Sequence, residues 1–185
     1  RVRNGIAGSD TNGYGFIWGN LNDTDAAAIE NGYLGKSDWC QTPSDTVNYV
    51  SCHDNYTLMD KINIVYARDF GGQTVTNYSQ VPGTEQVKLN NLAAAYYMFS
   101  MGIPLVHAGE DMLRTKLDTA GTVIHNSYNS PDYVNKIRWS NLDTEIYADT
   151  VDYYQGIIAF RKNHESLRLA TPGEVTSNVS SYKIS

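Results

Sequence analysis

Three consecutive residues, His53, Asp54 and Asn55, close the stretch VNYVSCHDN, so an imidazole, a carboxylate and an amide follow what reads as a buried strand. Such groups can bind hydroxyls or move protons. A carboxylate at the carboxyl end of a parallel strand can also point into the mouth of a barrel, where a substrate would lie. The bland alternative is that Asp54 or Asn55 caps the next helix and His53 is a satisfied core histidine. On the residues alone both stay open.

HAGED, residues 107–111, brings Glu110 and Asp111 together. Neighbours in extended chain point to opposite faces, so this pair is poorly placed to flank one glycosidic bond, and structural or supporting roles are expected. His53, Asp54, His107, Glu110 and His125 could in principle converge on a metal. No HxH, HExxH or CxxC spacing fixes two ligands on one element, so no metal site is expected. There is no GxSxG elbow, and Cys40 and Cys52 lack both metal spacing and a nucleophile's context. NSYNSPDYVNKIRW, residues 126–139, is too polar and turn-rich for a core. There Asp132, Asn135 and Trp139 could line a groove with hydrogen-bonding and stacking groups, against the alternative of an ordinary long loop.

The elements that would position these groups can be read from periodicity. Residues 1–24 read mostly as loop. DTDAAAIENG fits a short helix, with Asp23 or Thr24 near its start and Gly32 just past its end. TVNYVSC is β-branched and aromatic, hence strand. Thr57 and Asp60 have near-capping-box spacing, and Leu58, Ile62 and Val65 share one face of a helix reaching about Arg68. TEQVKLNNLAAAYYMFSMGIP is the clearest helix, stopped by Gly102 and Pro104. PLVHAGE reads as a second, fully buried strand. A long loop spans about Thr115 to Asn135, and another helix about Thr150 to Asn163. The tail, EVTSNVSSYKIS, alternates weakly like the first strand of an all-β module.

Alternating continuous apolar strands and helices signify a parallel sheet covered by helices. No glycine-rich phosphate loop follows either strand, and both strands end in clustered polar groups, so a (β/α) barrel is favoured over an open doubly wound sheet. A complete barrel needs about 250 residues, whereas the chain has 185 and offers two whole strand–helix units. It therefore reads as the late portion of a barrel, over 1–168, followed by the start of a C-terminal β-sandwich domain over 169–185. RVRNGIAG is neither an initiator methionine nor a signal peptide, which also suggests an excerpt from something longer.

Composition narrows the partners. A formal charge of −6 supplies no basic patch for nucleic acid or an anionic membrane. No apolar run approaches the roughly 20 residues of a membrane span. Abundant Tyr, Asn, Ser and Thr suit a wet, sugar-facing surface.

VNYVSCHDNYTLMDKI, MGIPLVHAGEDMLRTK and HNSYNSPDYVNKIRW together resemble the late catalytic barrel of the type I pullulanases, in the alpha-amylase superfamily of glycoside hydrolases. The similarity runs from about residue 1 to residue 168, with the three motifs in that family's order. It implies the late part of a (β/α)8 TIM barrel in a retaining hydrolase of α-1,6 branch linkages in pullulan, amylopectin or glycogen-type α-glucans. It further implies that Asp54 stabilises the oxocarbenium-like transition state, and that His53 hydrogen-bonds the same sugar. Asn55, Asp132 and Asn135 would join the substrate-binding set. An aspartate nucleophile and a glutamate acid/base would lie on earlier strands, so the chain alone would be inactive and its partner would be the rest of its own barrel. No cofactor is implied, though calcium could sit elsewhere in the parent. A bacterial extracellular or cell-surface setting is implied, with a cytoplasmic one open. A catalytically silent glycan-binding module, a metal-dependent barrel hydrolase and an isoamylase are the rival readings.

Overall fold

Two short parallel strands, β1 (Val47–Asn48) and β2 (Ile103–Pro104), lie side by side, with Val47 opposite Ile103 and Asn48 opposite Pro104. The computed structural model describes residues 2–8, 13–19, 23–36, 40–72 and 75–182. The ladder is built from Ile103 N–H donating to the Thr46 carbonyl and Leu105 N–H to the Asn48 carbonyl, each at 2.9 Å. β1 is shorter than TVNYVSC suggests, and the expected second strand PLVHAGE is neither fully buried nor extended as a strand: β2 shares only Pro104 with it, and Leu105 and Val106 are exposed. Among the described residues neither has a second strand beside it, and a parallel strand with one open edge keeps only part of its ladder.

The connection from β1 to β2 runs through two helices, α3 (Leu58–Asp69) and α4 (Thr84–Phe99). Their apolar faces meet over Val50, Leu58, Ile62, Ala93, Ala94 and Tyr97, all fully buried. The opposite face of the strand pair is open: Val47 is 47 % exposed and Ile103 52 %. Helices therefore cover one side of a parallel sheet, and the other side shows apolar side chains to solvent.

Several elements depart from the sequence expectation. Residues before 24 are not simply loop, since Val2–Ala7 form a helix, α1, whose Ile6 and Ala7 reach the core. The next helix, α2 (Asp23–Tyr33), runs through Gly32; the left-handed residue after its end is Gly35, at φ 65°. Inside the expected loop, Asp132–Asn135 make one helical turn, α5. The last long helix, α6 (Glu145–Asn163), begins five residues earlier than expected, with Glu145 in its first turn where a carboxylate is favoured.

The tail differs most. Where EVTSNVSSYKIS was expected to open a β-sandwich domain, Pro172–Asn178 form a helix, α7. Thr171 accepts from Glu174 N–H at 3.2 Å, the Glu174 carboxylate accepts from Thr171 N–H at 2.9 Å, and Pro172 holds the first position. This capping box outweighs weak alternation. Val175 then buries against Leu34 and Met101. Residues 179–182 have no regular structure, and the final three of the expected strand lie outside the described residues. No helix among the described residues is long and apolar enough to cross a membrane.

Candidate active site

The first question is whether the His53–Asp54–Asn55 tip is consumed in capping α3. It is not. Thr57 is the cap: its hydroxyl accepts from Asp60 N–H at 3.0 Å, and the Asp60 carboxylate accepts from Thr57 N–H at 3.1 Å. Thr57 and Asp60, downstream of the tip, thus satisfy the orphan donors in place of Asp54 and Asn55.

The His53 and Asp54 side chains stand out, 85 % and 64 % exposed, with Nε2 of His53 3.6 Å from Oδ1 of Asp54. Asn55 takes up φ 60°, one of two non-glycine residues in the left-handed region among those described. Residues 53–55 form a bend, with Asp54 at its middle. The Asn55 carbonyl receives the ammonium of Lys116.

Behind the tip lies a buried carboxylate. One oxygen of Glu110 accepts from the Ser51 hydroxyl at 2.6 Å; the other accepts from Tyr97 at 2.6 Å and Tyr154 at 3.1 Å. Three hydroxyl donors favour the ionised form, but burial outweighs them and pushes the Glu110 carboxyl up to about 7. Asp60 is likewise raised to about 6 by burial, against the opposing donors from Lys116 and Thr57. The supporting role expected of Glu110 has a definite form: it joins the end of β1 to α4 and α6.

Arg114 gathers the remaining polar segments. Its guanidinium reaches the His107 ring at 3.3 Å, the Ala108 carbonyl at 3.1 Å and the Asn135 carbonyl at 2.5 Å. Burial, then the charges of Arg114 and Lys116, lower His107 to about 4, so at neutral pH its Nε2 is free to accept from Arg114. His107 and Glu110 are thus engaged in hydrogen bonds to Arg114 and to three hydroxyls, and among the described residues no group of three His, Cys, Asp or Glu is placed to hold a metal ion.

The 126–139 segment is ordered by its own polar groups. Asn135 donates its side-chain amide to the Ser127 carbonyl at 2.7 Å and the Ser130 carbonyl at 3.2 Å. Its donors are therefore engaged within the loop. Asp132 is exposed on the first turn of α5, beside Tyr133, which is 41 % exposed; Trp139 is 68 % exposed. Arg138 lies over the Tyr133 ring, 5.4 Å from its centroid, and over Tyr78.

Ser51, Tyr97, Tyr154, Arg114 and Lys116 carry no motif in the sequence that marks them as partners of the tip or the polar loop. Their roles depend on partners far along the chain, Ser51 and Glu110 being 59 positions apart. A capping box was the one local signal that could have removed the capping alternative in advance.

No family model matches the chain. A pullulanase of Bacillus subtilis is 30% identical over 167 residues, covering 87% of this chain and 20% of that protein. An isoamylase of a Flavobacterium species is 34% identical over 140 residues, covering 69% of this chain and 17% of its own length. Among solved structures, a pullulanase from an Anoxybacillus species complexed with maltotetraose aligns with a TM-score of 0.79 and 29% identity, over 100% of this chain and 24% of that one. A pullulanase from Bacillus acidopullulyticus aligns with a TM-score of 0.75 and 31% identity, over 95% of this chain and 20% of that one. The chain spans a fifth of the length of the Bacillus subtilis relative and less of the Arabidopsis thaliana and Streptococcus pneumoniae ones. On sequence and on fold, the chain is a partial segment of the type I pullulanase group in the alpha-amylase family.

Proposed function

We propose that this chain is the late part of a (β/α)8 barrel in a retaining hydrolase of α-1,6 branch linkages in α-glucans, and that Asp54 supplies its transition-state-stabilising carboxylate. One observation carries the reading: the Asp54 side chain is exposed in the bend at residues 53–55, while Thr57 and Asp60 do the helix capping it would otherwise have done. The exposed row of Val47, Ile103 and Leu105 supports the barrel, since further parallel strands would bury it. The pullulanase structure with maltotetraose that aligns over the whole chain supports an α-glucan as ligand.

The chemistry follows from charge. As the glycosidic bond breaks, positive charge grows on the sugar ring, and hydrogen bonds from its hydroxyls to an anionic carboxylate strengthen. Asp54 accepts those hydroxyls, and the adjacent His53 ring binds the same sugar. Asp132 and Asn135 contact the neighbouring glucose, with Trp139 as a stacking surface. Bond cleavage needs two carboxylates flanking the bond. In this reading they are a nucleophile and an acid/base on earlier strands, so the chain by itself does not turn over glucan.

Asp54→Asn in the full-length enzyme tests the assignment. Loss of one preorganised contact of this kind costs about 3–4 kcal/mol, or roughly 10²–10³ in kcat, with KM on pullulan little changed. An unchanged kcat overturns the role. Turnover of pullulan above background by the isolated chain overturns the division of labour. The isoamylase match keeps a second branch specificity in play; a preference for glycogen over pullulan would favour it.

A further inference from the structure

Lys116 is only 1 % exposed, although a lysine ammonium is strongly hydrated in water. Burying it costs several kcal/mol unless it is well solvated by the protein. Its partners are two main-chain carbonyls, those of Asn55 and, at 3.5 Å, His125. The Lys116 N–H meanwhile donates to Oδ1 of Asp60 at 3.1 Å, and the other Asp60 oxygen accepts from Thr57. Residue 116 therefore grips the segment after Asp54 at both of its ends, Asn55 and Asp60.

The grip at Asn55 falls on the one strained point of the tip. Asparagine enters the left-handed region more readily than other side-chain-bearing residues, yet at a cost that glycine does not bear, and contacts from its surroundings hold it there. An ammonium on its carbonyl is such a contact. The second carbonyl, His125, opens the segment that carries Asp132 and Asn135. One buried cation thus ties together the two stretches that bear the expected sugar contacts.

We propose that Lys116 is a positioning residue, whose ammonium holds the left-handed turn at Asn55 and so fixes the Asp54 carboxylate relative to the 126–139 segment. The inference rests on the role given to Asp54 above, and the experiment separates the two. In the full-length enzyme, kcat and KM on pullulan are measured for Asp54→Asn, Lys116→Met, Asn55→Gly and the double variant Lys116→Met/Asn55→Gly, with folding checked by circular dichroism and thermal unfolding.

Glycine adopts φ 60° without support, so the effect of Lys116→Met depends on residue 55. The expected result is a loss in kcat of tenfold or more, with KM within about twofold, in the native background. In the Asn55→Gly background the same substitution costs less than threefold. If Asp54→Asn destroys activity but Lys116→Met leaves kcat intact, the positioning role is wrong and the role of Asp54 stands. If Lys116→Met costs the same in the native and the Asn55→Gly backgrounds, the lysine acts through general stability and the inference fails. If Asp54→Asn is harmless, both fall. Should Lys116→Met not fold, Lys116→Gln, which keeps an N–H donor group without the charge, is compared in the same two backgrounds.

Discussion

The Ser51 hydroxyl donates to Oε2 of Glu110 at 2.6 Å, deep in the molecule and across 59 positions of sequence. Ser51 stands two residues before His53, so this bond fixes the root of the tip, as the Thr57–Asp60 cap fixes its exit. Both Ser51 and Glu110 are buried. Replacing Ser51 with Ala leaves a buried carboxylate short of one donor, which costs about 1.5–3 kcal/mol. Urea unfolding of the variant against the native protein measures it, and a difference below about 0.5 kcal/mol would contradict the assigned bond.

Glu110 and Asp60 make a pH prediction. Their carboxyls are raised by burial, from 4.5 to about 7 and from 3.8 to about 6. In the window between the unfolded and folded values the folded protein holds protons that the unfolded chain has released. Stability from these groups is therefore fully present below about pH 4 and is lost as pH rises to about 7. For Glu110 alone the swing is about 3 kcal/mol. Unfolding free energies from pH 4 to pH 8 should show a smaller fall for Glu110→Gln than for the native protein; superimposable slopes would refute the buried-carboxylate account.

Thr57→Ala removes the α3 cap and also the 2.7 Å bond from the Thr57 hydroxyl to the Arg114 carbonyl. A loss of about 1–2 kcal/mol is expected. Asp54→Ala in the exposed bend should change stability by less than about 0.5 kcal/mol. Chemical denaturation of the two variants side by side distinguishes a folding residue from a functional one.

Gly102 sits at φ +88°, and a methyl group there would lie 2.1 Å from the Thr46 hydroxyl and 2.8 Å from the Pro43 carbonyl. Gly102→Ala combines left-handed strain with a backbone clash just before β2. We expect at least about 2 kcal/mol of destabilisation, visible as a lowered thermal midpoint.

Arg161, 7 % exposed, donates to the carbonyls of Met98, Ser100, Gly102 and Leu167 at 2.7–2.9 Å. It neutralises the carboxyl end of α4 and the turn into β2. Arg161→Met strands those acceptors and should cost at least about 1–3 kcal/mol, read as a lowered midpoint of chemical denaturation. Arg161→Lys recovers little, because one ammonium cannot span four carbonyls.

The sequence by itself determined what is local. Apolar periodicity located α3 and α4, and the spacing of Thr57 and Asp60 carried the capping box later seen. The β-branched run TVNYVSC located β1, whereas β2 meets the expected strand PLVHAGE only at Pro104, and the order of motifs carried the family resemblance. Weak alternation misled at the tail, where the Thr171–Glu174 cap was the stronger local term.

Only the tertiary structure decided which groups support the tip. Ser51 and Glu110, Lys116 and Asn55, and Arg114 and Asn135 meet through the folding back of chain segments. It also showed Asn135 engaging its amide within its own loop and Asp54 left exposed in the bend. The physical reason is range. A cap or an amphipathic face is set by residues within one or two turns, whereas the desolvation of a buried carboxylate or ammonium exists only once distant segments have closed over it.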